Sequence, residues 1–267
     1  MNYFRAARNW GHVASRAVFY GTVGTAVGWI PRCRQFANWM MHLWCNGCCD
    51  ALKVRRQLLG AEHLRAEPQG ILVANHLSSL DILVLGSFLR RDFRWLAKSE
   101  LFRVPFSGWY LSSAGHIRVH RGDRASSRNK SISEQIHRVM NNGASVLFFP
   151  EGTRSRDGQL KPFRLGAFLA AVRENKPIIP LVIRGTHELM VPGAKDLNIN
   201  QDRECSVTVL PPIPASAAGE GDEVERAKRL RDLTHEAIRL RLEETAPVTL
   251  METASVDVTV ASASAAG

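Results

Sequence analysis

Ile71-Leu-Val-Ala-Asn-His-Leu-Ser-Ser-Leu-Asp81 sets four apolar residues directly before a polar loop, and the loop opens onto a second apolar stretch, 80–89. A short apolar run closed by a turn reads as a buried strand, and strand, loop and helix together make the repeating unit of an α/β sheet. The unit recurs on either side of it. Runs at 93–96, 117–119, 146–149 and 178–183 read as strands, and the stretches 124–140, 165–174 and 222–244 read as helices. This alternation predicts an α/β domain with a mostly parallel sheet flanked by helices on both faces.

The chain has 267 residues, 45% of them hydrophobic and 22% charged, which is the balance of a folded protein with one substantial core plus appendages. The expected organisation is an N-terminal membrane-associated helical hairpin over 1–52, a catalytic domain over 53–245 and a disordered tail over 246–267, where the sequence turns rich in Ala, Ser, Thr and Val. The hairpin is read from two charge-free runs, 17–31 and 36–49, separated by Pro31 and flanked by Arg5, Arg8, Arg16, Arg32, Arg34, Lys53, Arg55 and Arg56. The first run, as a helix, reaches only ~22 Å against a hydrocarbon core of ~30 Å, so it is expected to dip into a bilayer rather than span it. Interfacial tryptophans and basic flanks favour membrane docking over an internal helical pair. A signal peptide is disfavoured because the run is Gly-rich, starts late and lacks a clear cleavage site.

A formal net charge of +10 points to a polyanionic partner: nucleic acid, a phosphorylated substrate or an anionic membrane. No nucleic-acid-binding motif accompanies the basic residues, so that class keeps only the charge. The five cysteines, Cys33, Cys45, Cys48, Cys49 and Cys205, are odd in number and clustered, unlike a secreted disulfide framework. Cys45-x-x-Cys48 lacks a second ligand pair at usable spacing for zinc, so buried or lipid-facing thiols are expected.

Three constellations carry the candidate chemistry. His76 falls on the loop after a strand and Asp81 in the first turn of the next helix, where α/β proteins place their sites. An Asp bonded to one imidazole nitrogen frees the other as a general base. The competing reading is a capping box, Ser78-x-x-Asp81, with His76 merely lining a turn, and the two residues alone leave both readings open. Phe149-Pro-Glu-Gly-Thr-Arg-Ser155 also ends a strand. It reads either as a turn or as an anion site, with Gly152 admitting close backbone approach, Arg154 offering a planar fork to phosphate and Glu151 accepting from a hydroxyl. In Gly115-His-Ile-Arg-Val-His-Arg121 the two histidines sit four strand residues, ~13 Å, apart, which excludes a shared metal ion. Arg121 is then a second phosphate candidate, and Lys98 and Arg118 read as solvated surface charge. The chain has no G-x-S-x-G elbow, no phosphate loop ending in Lys-Ser/Thr and no His-Glu-x-x-His zinc helix, so serine-hydrolase and NTPase readings lose their main support.

NHLSSLD, GHIRVHR, FPEGTRS and KPIIPLVI, taken in this order over roughly 60–210, resemble the bacterial-type 1-acylglycerol-3-phosphate acyltransferases (glycerolipid acyltransferase family). The resemblance implies an acyl group moved from acyl-CoA or acyl-carrier protein to the sn-2 hydroxyl of lysophosphatidic acid, with no cofactor and no metal. It implies His76 as the base and Asp81 as its orienting carboxylate. Arg121, Glu151, Gly152, Thr153 and Arg154 would bind the glycerol phosphate, and the segment from Pro177 to Pro180 would either shape a sheet edge near the acyl site or serve a purely structural role, the latter reading being preferred. It also implies membrane association through an anionic surface, on the cytosolic face of a bacterial inner membrane, and no nucleic-acid partner. His120 departs from the family's second motif, which often has an acidic residue before its arginine. Rival readings are acylation of glycerol 3-phosphate, another lysophospholipid or a lyso-aminolipid, a silent peripheral membrane-binding protein, and a metal-assisted phosphoester hydrolase.

Overall fold

The computed structural model describes residues 3–28, 30, 34–120, 132–155, 157–190 and 197–244. Seven strands, β1 (Arg56–Leu59), β2 (Ile71–Ala74), β3 (Phe93–Lys98), β4 (Ile117–Val119), β5 (Ser145–Phe148), β6 (Ile178–Arg184) and β7 (Cys205–Val209), make one sheet in the order β1-β7-β6-β2-β5-β3-β4. β6, β2, β5, β3 and β4 are mutually parallel, while β7 pairs antiparallel with β6 and carries β1 beside it. The helices described are α1 (Tyr3–Gly28), α2 (Arg34–Ala51), α3 (Ala61–Ala66), α4 (Asp81–Phe88), α5 (Ser107–Ser113), α6 (Ile132–Asn141), α7 (Gly166–Glu174), α8 (Thr186–Leu189) and α9 (Glu223–Glu243).

The central strands are apolar at every position because helices cover both of their faces. Leu72, Ala74, Leu147, Ile179 and Leu181 point into a core completed by Cys45 and Cys48 of α2 and by Val84 and Leu85 of α4. Their neighbours Ile71, Val73, Val146, Ile178 and Val182 point the other way, onto α6, α7 and α9. α9 starts where its sequence says it should: Asp222 accepts from the Glu225 amide and Glu225 reaches back to Asp222, a complete capping box.

Several sequence expectations are corrected here. α1 begins at Tyr3 and runs through Arg5, Arg8 and Arg16, because arginine is a good helix former and does not interrupt a helix. It is therefore far longer than the charge-free run alone. Among the described residues no helix is long and apolar enough to cross a membrane. α2 is not a free arm. Its Cys45, Cys48 and Cys49 are buried in the core rather than lipid-facing, and a Cβ on Gly86 of α4 would overlap the Cys45 sulfur. Burial lifts the Cys48 thiol to about 12 and Cys49 to about 11, so these thiols are inert packing groups. Pro180 lies in the interior strand β6, not at a sheet edge. It is tolerated because its donor-less side faces Leu210, just past the end of β7, whose amide still reaches the Pro180 carbonyl at 2.9 Å. Arg118 is not simply solvated, since its guanidinium stacks over the Phe102 ring at 4.5 Å. Cys33, Arg121, the 124–131 part of the helix expected over 124–140 and the expected tail at 246–267 lie outside the described residues.

Candidate active site

The parallel strands β6, β2 and β5 end side by side, and the loops leaving their carboxyl ends converge. β2 is continued for one residue by a side chain. Asn75 donates to the Ile183 carbonyl at 2.9 Å and accepts from the Ile183 amide at 2.7 Å, so its amide group replaces a ladder peptide. The main chain is thereby released to turn at His76.

His76 is held at three points by the loop that follows β5. Its amide donates to Glu151 Oε1 at 2.8 Å, its carbonyl accepts from the Ser155 amide at 2.7 Å, and its ring stacks on Phe149 with centroids 4.2 Å apart. The imidazole Nδ1 then lies 2.7 Å from Asp81 Oδ2. Asp81 is fully buried, whereas the His76 side chain keeps 20% of its surface exposed. The same Oδ2 accepts from the amides of Leu77 at 2.7 Å and Ser78 at 3.0 Å, and Oδ1 accepts from the Thr186 hydroxyl at 2.6 Å. An ionised Asp81 accepts only, so Nδ1 carries the proton and Nε2 keeps the lone pair.

Only half of the capping-box alternative forms: the Ser78 amide donates to Asp81 Oδ2 at 3.0 Å, but the Ser78 hydroxyl accepts from the Leu80 amide at 3.3 Å and not from that of Asp81. Asp81 reaches back to amides of the loop before α4, and Leu80, not Ser78, is the cap residue. Thr186 was not foreseen from sequence; it stands 105 residues from Asp81, and nothing local marks a threonine after β6.

The Phe149–Ser155 loop turns at Gly152, with φ +72°, where a Cβ would come within 2.9 Å of the Arg164 guanidinium. Thr153 and Arg154 are exposed, and an Arg154 Nη1 donates to the Ser79 hydroxyl across the site. Lys161 donates to the Arg154 carbonyl at 2.8 Å. Arg154, Lys161 and Arg164 therefore crowd one rim, the last two unforeseen because their motif ends before them. Glu151 does not stand free to meet a hydroxyl: one oxygen is engaged by His76, and burial pushes its carboxyl up to about 7 against the pull of that amide. His116 is buried against Trp95 with centroids 3.8 Å apart, and its Nδ1 accepts from the Trp95 amide at 3.3 Å, so it is a core residue. Desolvation holds its pKa well below the usual histidine range. Lys98 stands exposed at the end of β3. Among the described residues no three His, Cys, Asp or Glu side chains converge as a metal-binding group.

Fold and site together define an α/β domain with a carboxylate-oriented imidazole at the carboxyl edge of a mostly parallel sheet. The family model described as Acyltransferase matches residues 55–184, so this stretch of the chain carries an Acyltransferase-family domain. The chain is 32% identical over 186 residues to the chloroplastic 1-acyl-sn-glycerol-3-phosphate acyltransferase of Brassica napus, covering 69% of this chain and 52% of that one. To the 1-acyl-sn-glycerol-3-phosphate acyltransferase alpha of Homo sapiens it is 32% identical over 178 residues, covering 67% of this chain and 62% of the relative. The chain thus spans about half the length of the first of these curated relatives. Among solved structures, the 1-acyl-sn-glycerophosphate (LPA) acyltransferase PlsC of Thermotoga maritima superposes with a TM-score of 0.71 at 22% identity, covering 92% of this chain and 98% of that one. That likeness establishes the fold.

Proposed function

We propose that the protein transfers a fatty acyl group from acyl-CoA or acyl-carrier protein to the sn-2 hydroxyl of lysophosphatidic acid, giving phosphatidic acid. The observation that carries this reading is the 2.7 Å contact between His76 Nδ1 and Asp81, with the carboxylate saturated by two loop amides and the Thr186 hydroxyl. An imidazole so held presents Nε2 as a base, and an ionised partner stabilises the imidazolium that forms when it works. His76 takes the proton of the acceptor hydroxyl as its oxygen attacks the thioester carbonyl. The tetrahedral intermediate collapses with expulsion of the thiolate, which at a reference pKa of ~8.5 needs little acid assistance. Because the hydroxyl attacks directly, neither an acyl-enzyme nor a metal is required.

The rim cations Arg154, Lys161 and Arg164 suit the phosphate of the acceptor, and Arg121 joins them by its place in the second motif. Glu151, through the His76 amide, and Gly152, through its left-handed turn, shape the loop that presents this rim. The acceptor and product are amphipathic lipids, so the reaction belongs at a membrane surface. The basic surface and exposed aromatic face of α1 support association with an anionic bilayer.

The test is product identity. Purified protein incubated with lysophosphatidic acid and acyl-CoA should yield phosphatidic acid by mass spectrometry, in chelator as well as without it. Faster turnover with glycerol 3-phosphate or a lyso-aminolipid would move the acceptor assignment, and loss of activity in chelator would overturn the metal-free mechanism.

A further inference from the structure

Between β3 and β4 the chain leaves the sheet for an excursion over 99–113, a 3-10 turn (Ser99–Arg103) followed by α5. Its apolar residues divide cleanly. Phe102, Tyr110 and Leu111 enter the core, while Leu101, Val104 and Trp109 stand 47%, 46% and 54% exposed. Three large apolar side chains exposed along one short excursion are more than scattered surface residues require.

The excursion is clamped in place at a conformational cost. Phe106 has φ 62° and ψ −62°, a γ-turn closed by the Ser107 amide on the Pro105 carbonyl at 2.7 Å, a strained geometry for a side-chain-bearing residue. It is held against α1, where a Cβ on Gly21 would come within 3.3 Å of the Phe106 carbonyl oxygen, and one on Gly24 within 2.9 Å of the Tyr110 ring. Phe106 in turn packs on Trp109, with ring centroids 5.0 Å apart. The exposed face of the excursion thus adjoins α1, which exposes Val18 and Phe19 near this contact and Phe4 and Trp10 further along.

Charge identifies the occupant. Lys98, Arg103 and Arg118 are exposed around these apolar residues and Glu100 is the acidic residue among them, so the patch carries net positive charge around an apolar centre. That is the signature of a surface that meets anionic lipid. The excursion also leaves from the carboxyl end of β3, which is parallel to β2 through β5, so it rises on the sheet edge that bears His76.

We propose that the 99–113 excursion is a second membrane-inserting element, seating Leu101, Val104 and Trp109 in an anionic bilayer beside the aromatic face of α1 and turning the site mouth toward the lipid. This rests on the membrane-surface acyltransferase reading above. The experiment is vesicle flotation with phosphatidylcholine and phosphatidylglycerol at about 7:3, with pure phosphatidylcholine alongside. It compares wild type, L101S/W109S, the conservative Trp109→Phe, and L233S/L240S, which removes comparable exposed apolar surface from α9. Wild type should float with the anionic vesicles, L101S/W109S should partition at least about tenfold more weakly at unchanged melting temperature, and Trp109→Phe should bind like wild type. The α9 pair should stay within about twofold of wild type, since it faces away from this patch. Equal flotation of wild type and L101S/W109S would overturn the proposal, as would an equal loss in the α9 pair or no flotation of wild type. Thiol release from acyl-CoA with detergent-dispersed lysophosphatidic acid, run in parallel, reports the enzymatic reading separately. Its failure with flotation intact would sink the activity and leave the docking surface standing.

Discussion

Asp81→Asn separates charge from geometry at the candidate base. The Oδ2 position faces three N–H donors and the Oδ1 position faces one hydroxyl. A carboxamide placing its NH2 at Oδ2 would confront all three, so it turns its NH2 to Thr186, whose hydroxyl rotates to accept. The His76 tautomer, both loop amides and the fold are then preserved, and only the negative charge is lost. With ~4 Å between charge centres and an effective dielectric of ~20, a carboxylate stabilises the imidazolium by ~4 kcal/mol. The neutral amide retains ~1 kcal/mol, which leaves ~3 kcal/mol, or about a 10²-fold fall in kcat. KM for the lysolipid should stay within about twofold, because the charge acts on the transition state and not on the bound acceptor. Steady-state thiol release from acyl-CoA, with melting temperature as the control, reads both quantities. The reasoning is refuted by a kcat within about threefold of wild type, or by a loss confined to KM. Asp81→Ala provides the contrast: it strands the buried amides of Leu77 and Ser78 at ~1–3 kcal/mol each and should lower the melting temperature by roughly 4–24 °C, which the Asn variant should not.

Thr186→Val removes the donor to Asp81 Oδ1 at nearly constant volume, and kcat should fall about tenfold with KM held, while Thr186→Ser restores it; equal kinetics in Val and wild type would strip Thr186 of a positioning role. Glu151, raised by burial to about 7 from the model-compound value 4.5, holds a proton in the native state that the unfolded chain has released, so its contribution is full below the unfolded value and is lost as pH rises through the folded one. Stability should therefore fall from about pH 4.5 to about pH 7, and Glu151→Gln, which can still accept from the His76 amide, should flatten that part of a melting-temperature profile. Parallel profiles would show that this carboxyl does not titrate there. Gly86→Ala drives a methyl into the Cys45 sulfur and should destabilise by ~1–3 kcal/mol in denaturant unfolding; no change would mean that α2 is not anchored on α4.

The parallel part of the sheet was legible because its strands are continuous apolar runs followed by polar loops, a pattern imposed by burial on both faces. β1 and β7 were not. Arg56-Gln-Leu-Leu59 is half-buried and short, and Cys205–Val209 alternates with Ser206 and Thr208, so neither stands out from loop composition. His76 and Asp81 were visible as a pair, but five residues of spacing left their contact undecided; what decides it is the pair of loop amides converging on Oδ2, a feature of backbone path rather than residue type. Glu151 was legible as a carboxylate in a motif, but sequence does not show that the His76 amide, in the loop after β2, claims one of its oxygens. Thr186 and Arg164 reach the site through chain crossings that no local pattern encodes. In α1 the charge-free run underestimated the helix because arginine supports a helix as well as apolar residues do.

The measurement that bears most directly on the central claim is thiol release from acyl-CoA with and without lysophosphatidic acid, for wild type and a folded His76→Ala variant. The account requires acceptor-dependent release by wild type and about 10³-fold less in the variant, as general-base loss dictates. Equal release by both proteins would contradict it.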